Sequence, residues 1–326
     1  MFAVITVLSS YLIVHSSAQK GPLTHDFQEW LNQNGYQPYK FARLDLGNTG
    51  SYGGKTSPQQ KITTDPVIFI HGNSDGALAI PGLYSSGWTK TISYFESKGY
   101  TSAELYVTTW GDRKAADAHL NTHDCELLLH LRAFVNAVMG YTGASFIDVI
   151  SHSMGVTLAR KIIRGGVLED TKTPGGECDL GPSLASYVDA FIGISGANYG
   201  MCTCGLQMET IFPTCNSING FWPGDNCEAN KVCGDYPLPS PCLQGALYSQ
   251  YLTQLNAQND FEGRYVYSIM SIDDDIIRNH GMVWGRPTAI IPGSTQVKIF
   301  QNYTHMHTKE LTADLQYAMV RFHNVF

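Results

Sequence analysis

Charge is scarce in this 326-residue chain: Asp, Glu, Lys and Arg make up 15% of it, and 28 acids against 21 bases leave a formal net charge of −7. No stretch gathers Lys and Arg, so the cationic surface that releases counterions from a phosphate backbone is missing and a nucleic-acid partner is excluded. Long apolar runs are scarce too. The longest, Phe2 to Val14, is broken by Ser9 and Ser10 and is short for a span, and no later segment is long enough to cross a bilayer. There is no internal repeat, no clean linker and no tract polar enough for lasting disorder. With 43% hydrophobic residues, what remains is a folded protein with room for a large core.

Met1 to Ala18 carry no charged side chain, and their apolar run ends in Ser16-Ser17-Ala18, small residues suited to signal-peptidase cleavage. We therefore expect a signal peptide over 1–18 and a secreted mature domain over 19–326; a membrane anchor is the alternative, since the amino terminus is the only positive charge ahead of the run. All eight cysteines, at 125, 178, 202, 204, 215, 227, 233 and 242, follow Ala18, and an even number in a secreted chain reads as disulfides. Zinc is the rival reading, but Cys202-Thr-Cys204 has too short a spacing for a zinc knuckle. Six of the cysteines crowd into 202–242, which leaves Cys125 to pair with Cys178. Asn302-Tyr303-Thr304 is a glycosylation sequon, usable if exposed.

The chain is organised around residues 146–166. Phe146 to Ile150 is a buried-strand run, and Val156, Ala159, Ile162 and Ile163 recur at helical spacing until Gly165 and Gly166. Between them, Ser151-His152-Ser153-Met154-Gly155 is a nucleophile elbow with Ser151 where Gly is usual. Such a turn needs small flanks and holds Ser153 at its tip, before the positive end of a helix. The bland reading of the string is a Ser N-cap.

Before the elbow, Asp26 to Asn34 reads as a helix, Gly47 to Gly54 as a loop, Pro66 to Ile70 as a buried strand, Trp88 to Phe95 as a helix, Leu105 to Trp110 as a strand and Leu127 to Met139 as an amphipathic helix. After it, Tyr187 to Ile194, Tyr265 to Met270 and Val297 to Phe300 read as strands, Leu247 to Leu255 and Leu311 to Phe322 as helices. Residues 199–245 are rich in Cys, Gly and Pro, without periodicity. This alternation predicts an α/β fold: a mainly parallel sheet with helices on both faces and functional loops at the strands' C-terminal ends.

A serine hydroxyl needs a base, and the base a carboxylate to hold its tautomer. Asp273-Asp274-Asp275 follows the strand 265–270, and His305 and His307 follow the strand 297–300, so nucleophile, acid and base fall at three strand ends. Here the chain resembles the class 2 lipases, an α/β-hydrolase family that includes small secreted bacterial lipases and secreted nematode lipase-like proteins. The resemblance rests on Pro66-Val-Ile-Phe-Ile-His-Gly-Asn73, Thr108-Thr-Trp-Gly-Asp112, Ile150-Ser-His-Ser-Met-Gly155, Gly193-Ile-Ser-Gly-Ala-Asn198 and Ser268-Ile-Met-Ser-Ile-Asp-Asp-Asp275. It implies an α/β-hydrolase fold with Ser153 as nucleophile, Asp274 as acid and His305 as base, and an oxyanion hole from the backbone N–H groups of Asn73 and Met154. The chain departs from the bacterial members in the Cys-rich stretch and at Ser151.

Three consecutive acids also make a solvated turn or a calcium-favouring surface, and His307 is the competing base. His119 and His123 stand at a zinc-binding spacing but read better as unbound surface histidines; His71 is expected to fix the oxyanion loop, and His152 to point away from the nucleophile. The insertion 199–245, with Phe212, Phe221 and Trp222, is either a disulfide-stapled cap over an acyl pocket or a surface excursion. The expectation is a secreted triacylglycerol lipase or lipid esterase acting through an acyl-serine, on a lipid or ester substrate, with no metal or organic cofactor required. A general carboxylesterase or amidase, and an inactive lipid-binding protein on the same scaffold, are the alternatives.

Overall fold

A computed structural model describes residues 20–170, 176–205, 208–224, 247–257 and 260–325. The expected signal peptide, and Cys227, Cys233 and Cys242, lie outside the described residues.

The first helix, α1 (His25–Gln33), is capped by Thr24, whose hydroxyl accepts the Phe27 N–H at 3.3 Å, and it buries Phe27 and Leu31. Then follow β1 (Ser51–Tyr52), β2 (Val67–Ile70), α2 (Thr89–Ser97), β3 (Leu105–Thr108), α3 (Cys125–Thr142), β4 (Ile147–His152) and α4 (Met154–Arg164). A small hairpin of β5 (Val167–Glu169) and β6 (Glu177–Asp179) precedes β7 (Val188–Ile194), α5 (Gln250–Ala257) and β8 (Tyr265–Ser271). A second hairpin, β9 (Met282–Val283) and β10 (Arg286–Pro287), leads to β11 (Gln296–Phe300), α6 (His307–Glu310) and α7 (Ala313–Phe322).

Seven strands form one sheet in the order β1-β3-β2-β4-β7-β8-β11. Every pairing in it is parallel except β1 with β3. The central strands are apolar on both faces because both faces are covered. Along β2, Ile68 and Ile70 join Ile147 and Val149 under α1, α3 and α4, while Val67 and Phe69 turn to the other side and join Ile92 and Phe95 of α2 and Leu315 and Met319 of α7. This is the α/β-hydrolase architecture, with the elbow at the centre of the sheet.

Several local features depart from the sequence reading. β1 falls inside the expected loop 47–54, because two residues show no alternation; Gly53, at φ 129°, lets the chain approach β3, where a Cβ would stand 2.5 Å from the Leu105 carbonyl oxygen. The closing helix starts at Ala313 rather than Leu311, after the separate turn of α6. α4 is buried all round. Its cations go inside because each has partners: the Arg160 Nε donates to Glu262 at 2.6 Å, and the Lys161 Nζ donates to the Gly165 and Val167 carbonyls at 3.0 and 2.8 Å. Cys125 is bonded to Cys178, tying the start of α3 to β6, and Cys204 is bonded to Cys215. No helix of the described residues is long and apolar enough to cross a membrane.

Candidate active site

The turn from β4 into α4 places Ser153 at φ 57° and ψ −131°, a conformation a non-Gly residue adopts only where its surroundings impose it. Here the wedge is visible. A Cβ on Gly72 would lie 2.7 Å from the Ser153 Cβ, and one on Gly155 would lie 2.5 Å from the Ile70 and His71 carbonyl oxygens. Ser151 fits at the unusual position because it is small and its hydroxyl, fully buried, donates to the Ile192 carbonyl of β7 at 3.0 Å.

At the end of β8 the three aspartates divide the work of holding one loop. The Asp274 Oδ2 accepts from the His305 Nδ1 at 2.8 Å, and its Oδ1 accepts the Ile276 and Ile277 N–H groups at 3.0 and 2.9 Å. Asp273 accepts the Asn302 N–H at 2.6 Å and Asp275 the His305 N–H at 2.8 Å. Burial pushes the Asp274 carboxyl upward, but His305 and the two N–H groups outweigh it and hold it below the usual carboxylate range. The reading of this run as a solvated turn therefore fails for Asp274, which is 4% exposed.

His305 is equally buried, and its carbonyl accepts the Thr308 hydroxyl at 2.6 Å. Its Nδ1 is held by Asp274, which leaves Nε2 as the nitrogen able to accept a proton. Among the described residues His307 is paired with no acid; its Nδ1 lies 3.5 Å from the Thr304 N–H. Ser153, His305, Asn73 and Met154 all line one cavity of about 580 Å³. Among the described residues, neither the Asn73 nor the Met154 backbone N–H has an acceptor, as expected for the residue that opens a helix. The Asn73 side chain anchors its loop, donating to the Ala118 carbonyl at 2.8 Å and accepting from Asn121 at 2.6 Å.

His71 fixes the same loop. Its Nδ1 meets the Gly72 carbonyl at 2.7 Å, its Nε2 accepts the Trp110 N–H at 3.0 Å, and its ring stacks on Trp110 at 4.9 Å. Burial pushes its pKa down to about 4, so it stays neutral. His152 needs correction. Strand alternation suggested a side chain turned away from the reaction centre, yet the loop after β11 folds over the end of β4 and sets the two imidazoles 4.6 Å apart. The His152 Nε2 lies 3.1 Å from the His305 carbonyl, and the ring lines the same cavity. Burial, then the neighbouring His305, holds its pKa well below the ordinary value.

His123 is buried between Asn219 and Thr157, with ring nitrogens 2.8 and 2.7 Å from their oxygens, while His119 packs on Phe212. The expectation of two surface histidines therefore fails for His123, which is fully buried because Asn219 and Thr157 satisfy both its ring nitrogens. The rest of the cavity is apolar and comes largely from the insertion: Met201, Cys204, Met208, Phe212, Cys215 and Phe221 line it, with Ile276 and Ile277 opposite. Trp222 does not line it. A larger depression of about 810 Å³, bounded by Tyr36, Tyr39, Phe41 and Trp110, contains none of the Ser153, Asp274 and His305 side chains.

The family model described as "Lipase (class 2)" matches residues 64–318. Among solved structures the chain is similar to lipase B of Aspergillus fumigatus, at 14% identity and TM-score 0.48, covering 83% of this chain and 56% of that one. It is also similar to the mature lipase BlEst2 of Bacillus licheniformis, at 12% identity and TM-score 0.47, over 86% and 100% of the two chains. A third similarity is to the carboxylesterase CesB of Bacillus subtilis, at 14% identity and TM-score 0.40, over 93% and 100%. The chain therefore spans just over half the length of the Aspergillus protein. No curated protein matches it.

Proposed function

The chain belongs to the class 2 lipase family, and from that premise we propose that it is a secreted serine ester hydrolase acting on acylglycerols or similar lipid esters. The observation that carries this reading is the buried Asp274–His305 hydrogen bond of 2.8 Å opening onto the cavity that Ser153 lines. His305 Nε2 takes the proton of Ser153 as its oxygen attacks the ester carbonyl; Asp274 keeps the other ring nitrogen protonated and stabilises the imidazolium. The oxygen of the tetrahedral intermediate is bound by the N–H groups of Asn73 and Met154, each contributing about 3 kcal/mol in comparable sites. The imidazolium then protonates the leaving alcohol, which departs and leaves acyl-Ser153. Water, deprotonated by His305, attacks the acyl carbon, and the carboxylic acid leaves as Ser153 regains its proton.

The apolar walls of the cavity suit an uncharged acyl chain, and the residues from 199–224 act as its cap. We assign 19–326 to one hydrolase domain with the insertion 199–245. Secretion is supported by the Cys125–Cys178 and Cys204–Cys215 disulfides, which persist in an oxidising compartment. Asn302 is exposed and can accept a glycan there. A fluorophosphonate probe should label Ser153, and a chain-length series on emulsified and soluble esters should show preference for the emulsified ones. No labelling would leave a binding protein on a hydrolase scaffold; equal rates on both would leave an esterase.

A further inference from the structure

Resting on that reading, we propose that the buried ion pair of Asp75 and Lys309 is the positioning device that sets the base against the oxyanion loop. Asp75 stands two residues after Asn73, and Lys309 stands one helical turn after His305. Their side chains are 3% and 1% exposed and meet at 2.5 Å, across 234 residues of sequence.

Both groups are held in direction as well as in charge. The other carboxylate oxygen of Asp75 accepts the Gly87 N–H at 2.9 Å, and the Lys309 ammonium lies 5.4 Å from the centre of the Trp88 ring. The Lys309 carbonyl accepts the Gln316 amide at 2.8 Å, and that amide's oxygen accepts the Thr91 hydroxyl at 3.1 Å. The oxyanion loop, α2, α6 and α7 are thereby locked at a single junction. Two other titratable groups face Asp75: Arg113, whose guanidinium donates to the Leu78 carbonyl, and His71, kept neutral by burial.

Without this pair the two halves of the reaction centre would be joined indirectly, by the His152 Nε2 that lies 3.1 Å from the His305 carbonyl at the end of β4 and by the Lys90–Glu310 pair of 3.0 Å between α2 and α6. Asn73 is tied to Ala118 and Asn121. His305 is tied to Asp274, Asp275, Thr308 and, through its carbonyl, His152. Among the described residues no other polar contact joins the loop 72–76 directly to the segment 302–310. Stability alone does not require such a pair, because two buried charges can often be replaced by neutral groups of similar size without loss. A fixed distance between proton acceptor and oxyanion donor does require a directional contact, since small misplacements at a reaction centre are amplified in rate.

The test uses the mature chain with a soluble p-nitrophenyl butyrate substrate. In the double variant D75N/K309M no charge of the pair is left unpaired, so the chain should fold and melt within a few degrees of the wild type. Its kcat should nevertheless fall by about 10- to 100-fold while KM stays within about twofold. K309R, which keeps a cation at the position, should recover more of kcat than K309M, and labelling of Ser153 by a fluorophosphonate should slow in the same order. A folded D75N/K309M with wild-type kcat, or a loss confined to KM or to melting temperature, overturns the proposal. Wild-type protein that neither hydrolyses the ester nor labels at Ser153 overturns the serine-hydrolase reading and this proposal with it, and that result is seen before any variant is made.

Discussion

At the rim of the sheet, side chains are fixed by short polar contacts: Asp274 to His305 and Asp75 to Lys309 where water does not reach, and the exposed Asp275 to the His305 N–H. Over that rim, residues 199–224 contain no α-helix or sheet strand among the described residues, only short 3-10 turns at 202–204, 208–210 and 213–215 stapled by Cys204–Cys215. The first region has directional bonds and little freedom; the second has apolar side chains, Met201, Met208 and Phe212, that pack without fixing direction. Under the function proposed above, this division would assign rate to the rim and substrate choice to the roof.

The largest expected effect tests the rim. Ser153→Ala and His305→Ala should each lower turnover by about four to six orders of magnitude, with His307→Ala within a few-fold of wild type. Measured kcat on a soluble ester checks this; a deep loss in His307→Ala and a mild one in His305→Ala would reverse the assignment. Among the aspartates, Asp274→Asn should cost about 10⁴ in kcat, whereas Asp273→Asn and Asp275→Asn, which hold only backbone N–H groups, should cost about tenfold or less.

Acid should loosen both regions together. Burial lowers the pKa of His71 at the rim, of His123 under the roof and of His130 on α3 to about 4 each, from 6.5. Between those values the unfolded chain binds more protons than the folded one, so the stability these residues contribute is complete above about pH 6.5 and is lost as pH falls toward 4. Calorimetry should show the melting temperature dropping over that window; a flat profile would mean that these rings are solvated.

The roof gives smaller numbers. Replacing Cys204 and Cys215 by Ser should cost about 2–3 kcal/mol of stability. It should also alter chain-length preference while leaving kcat on a short soluble ester within a few-fold, which activity profiles across acyl lengths will show. Smallest of all, Phe212→Ala should shift preference toward longer acyl chains by a few-fold, because it removes one apolar wall of the cavity. If either roof change instead abolished turnover on the short ester, the division between the two regions would be wrong.

How much of this could be read from residues alone follows from the range of the signals. The alternation of apolar runs is local, so the sheet and its helices were legible, as was the Cys125–Cys178 pairing once the other cysteines were seen to cluster. The order of strand ends leads to the expectation of Ser153, Asp274 and His305 as one set; of these, Asp274 and His305 are hydrogen-bonded and Ser153 and His305 line one cavity. β1 was not legible, because two residues carry no period, and Cys204–Cys215 was not, because six clustered cysteines have many pairings. His152 was misread because alternation tells which face a side chain takes but not which loop will fold over it. Asp75 and Lys309 left no trace at all: a pair separated by the length of the domain has no sequence pattern, and only the closed structure brings it together.

The strand that delivers His305 is the last of the sheet. Among the described residues β11 is paired on one side only, with β8, and Ile299 on it is 52% exposed. A strand with one neighbour has fewer buried contacts than a central one, so its amides exchange through partial opening more readily than those of the strands at the middle of the sheet. On gentle warming, then, the amides of β11 should exchange ahead of those of β4 and β7, while His305, held beyond the strand's end by Asp274 and Asp275, stays where it is.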